Sequence, residues 1–208
     1  TAKIADNAVT LAKMASGTDG NIISYDASGN PVAIATGSDG QVLTSAGAGA
    51  QPAFEDAAAG GLVQRVHVHT GAVATGTTTL AHDDSIPQKT EGDEYMTLAI
   101  TPTNASNVLF IEAQAVVSST AGTTEMCMAL FQDTTAGALS AVGQLQDLAT
   151  YEKILTLRHK MAAGTTSATT FKIRIGCNTG TNTLNGQSGA RRYGGVNNSY
   201  ITITEISA

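Results

Sequence analysis

In several segments between residues 62 and 206 the apolar side chains recur at every second position, and that period admits little but β-structure. On a strand, Met126, Met128 and Leu130 share one face while Cys127, Ala129 and Phe131 take the other. Phe171, Ile173 and Ile175 alternate with Lys172 and Arg174, and Ile201 and Ile203 with Tyr200, Thr202 and Thr204. Strands are expected at 62–70, 95–101, 108–117, 125–132, 153–160, 170–177 and 199–206. The run at 161–169 reads as the loop of a hairpin joining two of them. Without a long helical pattern, the fold class expected for 62–208 is all-β, an antiparallel β-sandwich or jelly roll.

Two further zones precede this one. In 17–61, Gly17-Thr18-Asp19-Gly20-Asn21-Ile22-Ile23-Ser24 returns 20 residues later as Gly37-Ser38-Asp39-Gly40-Gln41-Val42-Leu43-Thr44. Each copy is a Gly-Asp-Gly turn, a short β-prone run and a second Gly-rich turn. The competing reading is a flexible Gly/Ala linker, and the matched Ile22/Val42 and Ile23/Leu43 positions weigh against it. Residues 57–61, Ala-Ala-Ala-Gly-Gly, form a hinge of small side chains. In 1–16, Ile4, Ala8, Leu11, Ala12 and Ala15 fall at helical steps, as in a short amphipathic helix or coil that is marginal alone.

Composition limits what such a chain can bury. It has no Trp and only four Phe, and much of its 42% hydrophobic content is Ala. Strands such as Val108-Leu109-Phe110-Ile111 carry apolar residues on both faces, whereas one face of a two-layer fold should meet water. Burial shared between copies of the chain relieves both problems. A net charge of −6 without a Lys/Arg cluster argues against nucleic acid as partner. No run of about 18 apolar residues is present to span a bilayer, and the first residues lack the pattern of a signal peptide. Cys127 and Cys177 are too distant for a short metal motif and too few for a disulfide framework, so buried free thiols are expected.

The order of several segments resembles a known family. Asp83-Asp84-Ser85-Ile86-Pro87-Gln88, Thr90-Glu91-Gly92-Asp93-Glu94 and Ile100-Thr101-Pro102-Thr103 resemble the start of a C-terminal head found in tailed-phage fibre proteins. Ala129-Leu130-Phe131-Gln132-Asp133, the 163–171 segment and the ending Tyr193-Gly194-Gly195-Val196 with 199–206 look like the same family. Upstream, the 4–13 segment and the Gly-Asp-Gly repeats resemble fibre stalks. The resemblance implies a homotrimeric virion appendage, with a stalk segment at 1–16, a β-shaft at 17–61 and a β-sandwich head at 62–208. Its implied work is binding a bacterial surface glycan or protein during adsorption. Other phage tail proteins would attach at the N-terminal end, and the particle would be assembled in the host cytoplasm. The alternative is a purely structural appendage, a capsid fibre or tail connector with an assembly role. A polysaccharide hydrolase is a third reading.

Few residues stand out as chemistry. His67 and His69, two apart on one strand, point the same way. The resemblance raises a metal role for such a pair, with three copies placing six imidazoles around one transition-metal ion on a three-fold axis. The plain alternative is two histidines on a solvent face. Otherwise no cofactor is expected. No Gly-x-Ser-x-Gly elbow or His-Glu-x-x-His helix places a catalytic set. Asp83 and Asp84 with Asp93 and Glu94 could form a glycosidase-like carboxylate pair, but they read more simply as solvated loop charges. In the long Gly/Asn-rich loop at 178–198, Arg191, Arg192 and Tyr193 set two guanidinium groups beside an aromatic ring, a combination suited to gripping sugars. The same residues would equally serve at a contact between subunits.

Overall fold

A computed structural model describes residues 17–56 and 60–208; the expected helix or coil at 1–16 lies outside the described residues. The chain divides into two compact units, one ending at Ala58 and the other beginning at Ala59.

The first unit turns the 20-residue repeat into two antiparallel hairpins. Strand β1 (Ile22–Tyr25) pairs with β2 (Pro31–Ile34), and β3 (Val42–Thr44) with β4 (Ala53–Glu55). Gly20 and Gly40 open the hairpins at φ of +80° and +87°, a conformation that a side chain strains. Each copy carries a side-chain clamp at matching positions. Asn21 Oδ1 accepts from the Thr36 N–H at 3.0 Å, and Gln41 Nε2 donates to Asp56 Oδ1 at 3.0 Å. Ile34 is buried, Val32 and Phe54 (the equivalent of Ile34) are half-buried, but Ile22, Ile23, Tyr25, Val42 and Leu43 stay open. Ile23 is 57% exposed, Tyr25 66% and Leu43 45%. Isolated two-stranded hairpins are marginal in water, and the described residues leave this stripe open.

The second unit holds two antiparallel sheets around one apolar core. Strands β5 (Leu62–Thr70), β6 (Ala74–Gly76), β8 (Val108–Ser119), β13 (Asn182–Leu184) and β16 (Ser199–Ile206) form one sheet in the order β5-β16-β8-β13-β6. Strand β11 (Lys153–Ala162) joins it by pairing with β8. The other sheet orders β10 (Ser140–Gln146), β9 (Thr124–Gln132), β12 (Thr169–Cys177) and β7 (Asp93–Ile100) as β10-β9-β12-β7. Leu109, Ile111, Leu155, Leu157, Ile201 and Ile203 of the first sheet meet Met126, Met128, Leu130, Phe171, Ile173 and Ile175 of the second. The alternation in the sequence is therefore real burial on β8, β11, β12 and β16, while β5 reaches only half-burial. The small two-stranded pair β14 (Gly186–Gln187) and β15 (Ala190–Arg191) stands in the loop before β16.

Two expectations need revision. Residues 161–169 do not close a hairpin: β11 pairs with β8 in one sheet, while β12 pairs with β7 and β9 in the other. The segment crosses between layers, pinned by the Ala163 N–H to the Asn107 carbonyl at 2.7 Å and the Gly164 N–H to Ala105 at 2.9 Å. Cover by another subunit is also unnecessary for β9. Its second face, Cys127, Ala129 and Phe131, is closed by Leu80 and Ala138 of the same chain. On β8, Phe110 stays 39% exposed beneath the Lys160 ammonium, 5.3 Å from the ring centre.

One buried carboxylate ties the end of the chain to the fold. Glu205 is fully buried on β16, where the register with β5 shifts between Glu205 and Ile206. Its Oε1 accepts from Asn107 Nδ2 at 2.6 Å, the Thr103 N–H at 2.8 Å and Thr103 Oγ1 at 2.9 Å; Oε2 accepts from Gln64 Nε2 at 2.5 Å. Burial by itself would push this acid up, but the bonds from Asn107, Gln64 and Thr103 outweigh it and hold the group at about 2.

A carboxyl depressed in the folded state stabilises fully above its unfolded value, near 4.5, and the contribution fades as pH falls toward about 2. Glu205→Gln should therefore cost about 2 kcal/mol at pH 7, since it removes charge-assisted bonds and sets an amide against the Asn107 and Gln64 amides. It should also flatten the fall of the urea midpoint between pH 5 and 2. An unchanged slope would show that the acid sensitivity lies elsewhere.

Candidate functional site

Two loops of the second unit form an open cleft of about 460 Å³ lined by Tyr151, Glu152, Gln187, Arg192 and Tyr193. The first, 147–152, joins β10 to β11; the second, 185–198, leads from β13 to β16. The tyrosines are 61% and 72% exposed, far more than packed aromatic residues would be. Their polar neighbours are oriented by one another. Gln187 Nε2 donates to Thr150 Oγ1 at 2.8 Å and so links the loops, while its Oε1 accepts from Arg192. Glu152 Oε1 accepts from Asn197 Nδ2 at 3.0 Å.

Both loops rest on the end of β8. The Thr150 N–H bonds to the Ser119 carbonyl at 2.7 Å. Ser118 Oγ donates to the Gly186 carbonyl at 2.8 Å, and the Asn185 N–H bonds to Val116 at 2.8 Å. The Asn185 side chain is fully buried and donates to the carbonyls of Thr70 and Ala72 at 2.8 and 3.1 Å, while its Oδ1 accepts from Ser199 Oγ at 2.7 Å. Among the described residues, five non-glycines have positive φ, and four of them, Thr150, Asn185, Ser188 and Tyr193, belong to these loops. Backbone strain of this kind costs about 1–3 kcal/mol per residue and persists only where the surroundings enforce it.

Of the residues that the sequence singled out, Arg192 and Tyr193 line the cleft. Arg191 does not; its stem lies against Gly195, where a Cβ would come within 2.9 Å of Arg191 Cδ. Tyr151, Glu152 and Gln187 carried no motif, and only an aromatic in a turn-rich stretch hinted at Tyr151.

His67 and His69 lie exposed on β5, with ring centres 5.6 Å apart. His67 Nδ1 is hydrogen-bonded to Thr202 Oγ1 at 2.8 Å, and its ring lies 5.8 Å from that of Tyr200. No group of three or more His, Cys, Asp or Glu side chains gathers among the described residues. One chain thus offers two donors where a transition metal takes four or more, and by itself it does not fit the ion.

Three of the acidic residues are engaged in contacts of their own. Asp83 accepts from the Ser85 N–H and hydroxyl in a local turn, and Asp93 from the Thr78 N–H and hydroxyl. Glu94 pairs with Lys172 at 3.2 Å and Arg174 at 3.5 Å. Cys127 and Cys177 are free and buried. Burial pushes the Cys127 thiol up to about 11, with Glu125 and Cys177 adding to the shift, and leaves it a poor nucleophile.

No family model and no curated protein matches the chain. Similar solved structures include the Eiger TNF of S. frugiperda, at 8% identity and a TM-score of 0.36 over 69% of this chain and 92% of that one. The VP2 subviral particle of infectious bursal disease virus gives 10% identity and a TM-score of 0.28 over 94% of this chain and 46% of that one. The enzymatically active domain of bacteriophage CBA120 tailspike protein 4 gives 14% identity and a TM-score of 0.24 over 58% and 18%.

The loop base makes a direct prediction. Asn185→Ala removes three side-chain bonds, leaves buried partners unsatisfied and keeps a strained backbone. A loss of about 3 kcal/mol in unfolding free energy is expected, with faster amide exchange across 186–197. A loss under about 0.5 kcal/mol would mean that the loop is held by other contacts.

Proposed function

We propose that this chain is a segment of a tailed-phage fibre, a homotrimer whose jelly-roll-like second unit binds a receptor on the bacterial surface. The open cleft on strained, cross-braced loops carries the reading, because recognition concentrates on loops presented by a rigid scaffold. The hairpin stripe of Ile22, Ile23, Tyr25, Val42 and Leu43 supports self-association: a second and third copy would cover at each repeat what one chain leaves open. In this reading the chain binds and does not catalyse. It is carried on the virion, with further tail proteins attached upstream, and several heads per particle add avidity to a modest single-site affinity.

Sedimentation of the purified chain should give a mass near three times 21.1 kDa, and Ile23→Ser with Leu43→Ser should shift it toward monomer. The trimer should compete with phage for adsorption to host cells. Tyr151→Ala should weaken that competition about tenfold while leaving the melting temperature within a few degrees. Competition that survives loss of both cleft tyrosines would place the receptor site elsewhere on the trimer, and absence of competition by the unaltered trimer would favour the structural-appendage reading.

A further inference from the structure

We infer that the cleft between Tyr151 and Tyr193 takes an uncharged saccharide, a neutral hexose or N-acetylhexosamine unit of a larger glycan. The inference rests on the adsorption reading for its biological setting, but its chemistry stands on the lining alone.

The size of the cleft points to a small occupant. About 460 Å³ suits one to three sugar rings, within the range of small-molecule sites, whereas a protein partner typically covers roughly 800 Å² on each side around an apolar centre. The lining is polar apart from the two rings. A pyranose has one face of C–H bonds and a rim of hydroxyls. Exposed tyrosine rings, with their negative π-faces, suit the first; the planar ends of Gln187, Arg192 and Glu152 suit adjacent hydroxyls as donors and acceptors.

The charge of the lining selects the class. Arg192 contributes one positive group and Glu152 one negative group, so the cleft is balanced. The Arg192 guanidinium is already shared with Gln187 Oε1, and it has no second cation beside it in the lining to form an anion clamp. Glu152 commits Oε1 to Asn197 and leaves Oε2 for a ligand hydroxyl. A uronate or sialate would bring its carboxylate into a lining where Glu152 opposes it and no pair of cations offsets that repulsion. The bonds Gln187–Thr150, Gln187–Arg192 and Asn197–Glu152 fix these groups before a ligand arrives, which lowers the ordering cost of binding.

The test uses the full trimeric chain with chitobiose, maltotriose and galactobiose as neutral probes, and with digalacturonate and sialyllactose as anionic ones. Binding is read by saturation-transfer NMR and by quenching of tyrosine fluorescence, which has no Trp background. At least one neutral probe should bind, and Tyr151→Ala and Tyr193→Gly should each lower its affinity about tenfold; glycine suits the positive φ at 193 and guards against misfolding. Tyr25→Ala, in the other unit, should change nothing. Glu152→Gln keeps the acceptor for Asn197, should leave neutral binding within about threefold, and should admit the anionic probes.

Preference of the unaltered chain for the anionic probes would overturn the inference. So would the absence of all saccharide binding while adsorption still depends on both tyrosines; a protein receptor then fills the cleft and the adsorption reading stands. Cleft-dependent binding of a neutral probe without any effect on adsorption supports the inference and overturns the adsorption reading.

Discussion

The second unit is governed by the need to bury both faces of β9. With no Trp and four Phe in the whole chain, one apolar layer between two sheets is a thin source of stability. Met126, Met128 and Leu130 fill that layer, and Cys127, Ala129 and Phe131 gain a second, smaller one only because Leu80 and Ala138 fold over them. That cover requires a long connection between β6 and β7 to run across the outside of the sheet. Gly176 marks how closely it lies: a Cβ there would meet the Leu80 backbone N at 2.6 Å.

Where apolar side chains run short, polar ones take over the joining of loops to strands. Glu205 binds the 101–107 connection and β5 to the last strand, and Asn185 binds the 185–198 loop to the end of β5. Gln146 is fully buried at the end of β10 and reaches the Ser119 and Ala121 carbonyls, each at 2.9 Å. Among the described residues no buried side-chain nitrogen or oxygen lacks a partner. These groups add less net stability than methyl groups would, but they penalise every alternative arrangement that leaves them unpaired.

The long strands were legible because burial on one face imposes a period of two, and β5 and β16 span the residues expected of them. Strand β10 was not, because as an edge strand it carries Gly143 and the exposed Leu145 and lacks a buried stripe. The 161–169 crossing hides from the sequence for a different reason: Gly and Thr report that the chain changes direction, not which sheet it enters next. Half of the cleft followed the same divide. Arg192 and Tyr193 stand out as a cluster, whereas Gln187 and Glu152 are set by bonds to Thr150 and Asn197, 37 and 45 residues away, which no local pattern encodes.

The two units handle the same scarcity of bulky residues in opposite ways. The second folds its strands back on each other until even Phe131 is covered, and can therefore hold loops in strained conformations at its surface. The first repeats a hairpin too small to enclose Ile23 or Leu43, and its paired clamps at Asn21 and Gln41 set the hairpins without hiding the stripe. Such a hairpin is ordered by polar bonds while its apolar side stays open among the described residues. Strain tolerated in one unit and burial left incomplete in the other are thus two outcomes of one composition.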